Sequence, residues 1–202
     1  MKKTLTIAFF LILMMLGQSI ALANIFDPEP DQPAKPEDPR PIVALLFVNN
    51  AKTTYDNDLT DKIMTNFDNL LKSKYIVVPG TKYVELLSKQ GIVDITTAER
   101  TDIVDAFRGE NVDYVLYCEL QPFVRKEKIT FFTQGINMTA IIPIKIISLK
   151  SGKYLYNGKF TEFASDSTMI GSVGNKSVSL KALDKTIEQM NSIIAARLPE
   201  TK

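Results

Sequence analysis

The chain has 202 residues, 45% of them hydrophobic and 23% charged, at a formal net charge of +1. That usage is globular: too apolar for a disordered chain, too polar for a polytopic membrane protein. Histidine is absent, which excludes Ser-His-Asp and Cys-His nucleophilic sites, HExxH zinc sites and His proton shuttles, and the balanced charge lacks the basic excess of a nucleic-acid-binding domain.

Residues 1–23 read as a secretory signal peptide. Lys2 and Lys3 supply the positive start, Ile7 to Leu16 is an unbroken apolar run, and Ala21-Leu22-Ala23 offers the small-x-small cleavage site. The run is short for a membrane span, which needs about 20 apolar residues, and Gly17, Gln18 and Ser19 interrupt it. Cleavage after Ala23 makes Asn24 the mature amino terminus, and losing Lys2 and Lys3 takes the formal charge from +1 to −1. No cysteine lies near this site to carry a lipid, so the expectation is an exported protein that is not lipid-anchored.

Residues 24–41 read as a linker. Six of the ten prolines (Pro28, Pro30, Pro33, Pro36, Pro39 and Pro41) alternate there with acidic residues, and proline disfavours both helix and sheet. The expected form is an extended spacer.

The folded domain is expected over 42–199. Ile42 to Val48 is continuously apolar, as in a strand covered on both faces. Leu59, Ile63, Phe67, Leu70 and Leu71 then recur at helical spacing. Tyr75 to Val78 reads as a short buried strand closed by Pro79-Gly80. Thr81 is placed to cap a helix carrying Tyr83, Val84, Leu86 and Leu87 and stopped by Gly91, and Thr96 with Glu99 fits a capping box for a third helix stopped by Gly109. From Val112 to Leu120 the period changes to two, and Cys118 falls on the apolar face as a small buried hydrophobe.

Phe123 to Phe132 is polar enough for an exposed strand pair or edge. Ile136 to Ile146 alternates, with Pro143 marking an edge or bulge, and Ser151-Gly152-Lys153 turns the chain into Tyr154 to Phe163 as a hairpin. Ala164 to Lys176 reads as a Ser/Gly-rich loop. A last helix from about Ser177 to Leu198 turns Leu180, Leu183, Ile187, Met190, Ile194 and Leu198 inward. The order β-α-β-α-α-β-β-β-β-α describes an α/β (α+β) domain with a mixed sheet and helices packed on it.

Sites for chemistry are sparse. Gly171 to Ser177 departs from a phosphate-binding loop because Asn175 separates Gly174 from Lys176. Asp56, Asp58 and Asp61 lack the glycine of a calcium loop. No metal and no cofactor are expected.

The layout of residues 41–120, with "PIVALLFVNN", "KYIVVPG", "YVELLSKQG" and "NVDYVLYCEL" in that order, resembles the periplasmic domain shared by the amino-terminal part of TolB, LpoB and CsgG. The later "IKIISLKSGKYLY" resembles the strand, turn and return strand of that group, with Ser148 and Ser151-Gly152 where Asp and Thr-Gly are usual. The resemblance implies a non-enzymatic domain that works by binding envelope proteins. The lipid-bearing Cys of its lipoprotein members is missing, and Phe123 to Phe132 is short and charged where pore-forming members need long amphipathic hairpins.

The expected function is therefore an exported interaction module of a bacterial cell envelope, with assembly, secretion or cell-wall synthesis as its settings. The alternatives are a subunit of an oligomeric secretion assembly and a hydrolase using carboxylates alone. Expected binding residues are Phe123, Arg125, Lys126, Lys128, Phe131 and Phe132 on the edge, with Met169 and Ile170 in the following loop. Aromatic anchors beside basic residues are common makings of an interface.

Overall fold

The computed structural model describes residues 38–200 apart from Val93. The signal peptide, its cleavage residues Ala21, Ala23 and Asn24, and most of the proline-rich linker lie outside the described residues.

Strand β1 (Ile42–Asn49) is apolar from Ile42 to Val48 because it has a layer on each side. Val43 and Leu45 point to one core, Ala44 and Leu46 to the other. Helix α1 (Asp56–Leu71) leads to β2 (Ile76–Pro79), parallel to β1. Helices α2 (Thr81–Lys89) and α3 (Arg100–Ala106), separated by a 3-10 turn at Ile95–Thr97, lead to β3 (Tyr114–Leu120), which pairs in parallel with the opposite edge of β1. The chain then runs through β4 (Val124–Ile129), β5 (Gln134–Ser148) and β6 (Lys153–Thr168), and ends in α4 (Asn175–Arg197). The six strands form one mixed sheet in the order β2-β1-β3-β5-β4, with β6 along the other edge of β5. With four helices packed on it, this is the expected α/β architecture.

Each face of the sheet has its own core. On one, α1 supplies Leu59, Ile63, Phe67 and Leu71, and α4 supplies Leu183, Met190 and Ile194. Asn66 and Asn191 join these two helices by exchanging two amide hydrogen bonds of 2.8 Å. On the other face α2 and α3 bring Tyr83, Leu87, Ile103 and Ala106 against Val115 and Tyr117.

Several expectations are corrected. All seven residues of β3 are buried, not every second one, because this central strand is covered on both sides. The alternate residues are apolar or aromatic except Glu119, whose carboxylate accepts from Asn50 Nδ2 at 2.9 Å and from the Tyr117 hydroxyl at 3.2 Å. Strand β2 is not buried: it is an edge, and Val77 is exposed. Thr81 opens α2 as its first residue, behind Gly80, and is not its cap. The capping partner of Glu99 is Asp102, whose Oδ2 accepts from the Glu99 amide at 2.8 Å, while Thr96 sits in the 3-10 turn capped by Asp94.

Pro143 neither ends nor bulges β5. It falls where one edge of β5 changes partner, since β3 pairs as far as Ile144 and β4 begins at Thr139, so an interior proline is accommodated. The irregularity lies at Ile146/Ile147, where Leu155 is the extra residue on β6. The Ala164 to Lys176 loop is also corrected. Residues 164–168 extend β6 along Met138 to Gln134, and α4 already starts at Asn175. Leu180 is half-buried, whereas Val178, Ser179, Ala182 and Thr186 are buried among the inward residues of α4.

Cys118 is fully buried, and burial pushes its thiol well above the ordinary cysteine range. Tyr75 packs under the end of α4 and donates its hydroxyl to the Leu198 carbonyl at 2.9 Å. Burial, then the charges of Glu200 and Tyr114, push this phenol up to about 12 from its ordinary 10.0. A phenol pKa raised in the folded state means that its contribution to stability is complete below pH 10.0 and is lost as pH climbs toward 12. The denaturation midpoint should fall across that window, and Tyr75→Phe should remove part of the fall. An identical slope in the variant would show that Tyr75 does not couple folding to pH.

Candidate functional site

The three strands β4, β5 and β6 project together beyond β3. Register fixes which residues meet at their far end: Ile129 lies opposite Gln134, and Gln134 opposite Thr168. The 130–133 turn joining β4 to β5 therefore lies beside the end of β6, and two stretches separated by about forty residues converge on one tip. There Ile129 is 71% exposed, Phe131 94%, Phe132 77%, Met169 75% and Ile170 91%. Phe131 and Phe132 touch edge to face, with ring centres 5.0 Å apart. Single exposed apolar residues are ordinary, but five large ones gathered on one protrusion form a surface that water disfavours.

Local hydrogen bonding explains why the tip holds its shape without a core. In the first turn the Thr130 amide donates to the Thr133 carbonyl at 2.8 Å, and the Thr133 amide donates to Thr130 Oγ1 at 3.0 Å. In the second, Thr168 Oγ1 donates to the Ile170 carbonyl at 2.7 Å and accepts from the Ile170 amide at 3.2 Å. Threonine side chains thus occupy backbone groups while the apolar side chains point outward.

Behind the tip the charges separate by face. Residues opposite one another in an antiparallel pair share a face. Arg125, Glu127 and Ile129 therefore lie on the side of α4, opposite Met138, Ile136 and Gln134. Lys126 and Lys128 lie on the other side, opposite Asn137 and Gly135. Arg125 is already engaged, donating to Glu127 Oε1 at 2.6 Å and to Asn175 Oδ1 at 3.2 Å. Among the described residues no carboxylate pairs with Lys126 or Lys128.

Of the sequence-expected binding residues, the structure brings Phe131, Phe132, Met169 and Ile170 together and sets Lys126 and Lys128 behind them. Arg125 lies on the α4 face in its own hydrogen bonds, and Phe123 turns inward, half-buried against the cores beneath β5. Ile129 was not singled out in the sequence. Its place as the last residue before the turn becomes visible only once the register is known.

The remaining chemical candidates are engaged elsewhere. Asp56 Oδ1 accepts from the Thr53 amide and hydroxyl, both at 2.8 Å, and Asp58 pairs with Lys176 at 2.6 Å. No group of three or more His, Cys, Asp or Glu among the described residues is placed to hold a metal ion. Carboxyls that leave their ordinary range move downward: Asp94 through the Thr96 amide, Glu110 through Lys82, and Asp166 through Lys181. An apolar groove of about 470 Å³ opens where β2 stops short of β1, lined by Phe47, Met64, Val77 and Val84 among others. Among the described residues no helix is long and apolar enough to cross a membrane.

The fold and site define a mixed α/β domain bearing a three-stranded arm with an apolar tip. No protein-family model matches the chain, and no curated protein matches it. Solved structures with a similar layout include the hypothetical protein CT253 from Chlamydia trachomatis, at 10% identity over 78% of this chain and 99% of that one, with a TM-score of 0.49. Lipoprotein GNA1162 from Neisseria meningitidis is 14% identical over 74% of this chain and 99% of that one, at 0.39. The LpoB C-terminal domain from Escherichia coli is 11% identical over 63% of this chain and 86% of that one, at 0.34. LpoB, one of the three proteins named in the sequence resemblance, is thus among the solved structures of similar layout.

Proposed function

We propose that this protein is an exported, non-catalytic interaction module of a bacterial cell envelope, acting in the periplasm or at the cell surface by contact with other envelope components, protein partners included. The single observation that carries the reading is the arm tip, where Ile129, Phe131, Phe132, Met169 and Ile170 stand exposed on a hydrogen-bonded frame. Export rests on the Lys2-Lys3, Ile7 to Leu16 and Ala21-Leu22-Ala23 pattern of the sequence.

A working tip has a direct consequence in cells. The wild-type chain should sediment with the envelope fraction, whereas Phe131→Ser with Phe132→Ser should be released to the soluble fraction while keeping its melting temperature. Surface changes of this kind cost within about 0.5 kcal/mol. If the double variant stays in the envelope fraction in the wild-type proportion, the tip is not the working surface.

A further inference from the structure

We infer that the tip is built to seat in a lipid bilayer whose surface carries anionic headgroups; the inference rests on the reading of the tip as the working surface.

A protein group entering the acyl boundary must bring apolar side chains forward and leave few backbone polar groups unmatched, because lipid offers no hydrogen bonds. Thr130, Thr133 and Thr168 meet part of this demand from within, by occupying the amides of Thr130, Thr133 and Ile170 and the carbonyls of Thr133 and Ile170. The apolar side chains come from two turns side by side, so they form a broad end and not a single spike. Phenylalanine, isoleucine and methionine carry no hydroxyl or indole donor, as suits positions ahead of the headgroups.

Charge supplies the second argument. At about 3.4 Å per strand residue, Lys128 stands roughly 7 Å behind Thr130 and Lys126 roughly twice that, comparable to the ~5–10 Å depth of a shallow interfacial insertion. Lys128 therefore comes level with the phosphates when the tip is seated, and Lys126 lies just outside them. Neither pairs with a carboxylate among the described residues. Glu127 is held on the opposite face by Arg125, and Asp166 by Lys181. The arm thus presents uncompensated positive charge just behind its apolar end, complementary to an anionic surface.

The absence of tryptophan from the chain makes the test clean. Phe132→Trp introduces the sole indole into the exported protein, which is then mixed with vesicles of equimolar phosphatidylglycerol and phosphatidylethanolamine. Its emission should shift to the blue and be quenched by lipids brominated on their acyl chains. Vesicles of phosphatidylcholine alone should bind more weakly. In the otherwise unchanged chain, read by co-sedimentation with the same vesicles, Phe131→Ser with Ile170→Ser should lower the partition at least about tenfold, given the apolar area withdrawn. Lys126→Glu with Lys128→Glu should lower it by about tenfold or more, with an unchanged melting temperature showing that the domain still folds.

Vesicle binding that both double variants retain would overturn the inference, as would equal binding to the two lipid compositions. So would an indole that responds to solubilised envelope proteins but not to vesicles. Indifference to vesicles combined with tip-dependent retention in the envelope fraction would leave the working tip standing and replace lipid with a protein. Indifference in both experiments would remove both readings.

Discussion

Replacing Phe67 with Ala is expected to lower the unfolding free energy by about 3–5 kcal/mol, the range for removing a large aromatic side chain from a packed core. Phe67 is 1% exposed on the inward stripe of α1, in the cluster that also holds Leu59, Ile63 and the inward residues of α4. A cavity there is bounded by the sheet on one side and two helices on the other, so little can relax into it. Against a total stability of about 5–15 kcal/mol the loss is large. For a domain of this size it should appear as a melting temperature lower by roughly 10 °C. Phe67→Leu, which keeps most of the volume, should recover much of the difference. A loss under about 1 kcal/mol for the alanine variant would mean that α1 is not packed on the sheet in this way.

Gly80→Ala should cost about 2 kcal/mol, within the range for forcing extra volume into a packed site. Its φ of −77° is open to any residue, so the requirement is one of space and not of backbone conformation. A Cβ at this position would run into Leu46 Cδ2 and stand 2.7 Å from the Leu45 carbonyl oxygen. That oxygen is fixed because it accepts the Gly80 amide at 2.9 Å where β2 passes into α2. The contrast is Gly109, which has φ of +81° and open space around it, so Gly109→Ala pays only the left-handed backbone term of about 1 kcal/mol. Chemical denaturation of the two variants separates close packing from conformational strain, and equal losses would refute the steric account.

What the sequence determined by itself is the set of elements and the inward stripes of α1 and β5, with most of that of α4. Those signals are local: the continuous apolar run of β1, the 3.6-residue spacing of α1 and α4, and the glycine at the β5–β6 turn, whose φ of +62° few other residues adopt readily. A chain without histidine also carries its list of excluded chemistries in its composition.

What only the tertiary structure decided is partnership. Alternation in β3 reads as one covered face, yet α2 and α3 cover the other, because Tyr117 and Val115 are apolar enough to accept a second layer. The Ser-rich stretch 164–168 has weak strand propensity and becomes strand only because β5 lies alongside it for its whole length. The same pairing assembled the site. Phe131 and Phe132 on one turn and Met169 and Ile170 on another are separate exposed features in the sequence. They become one surface because the register of β5 places Gln134 opposite both Ile129 and Thr168. Register is a non-local property, fixed by which side chains bury together across strands and not by the residues of either turn.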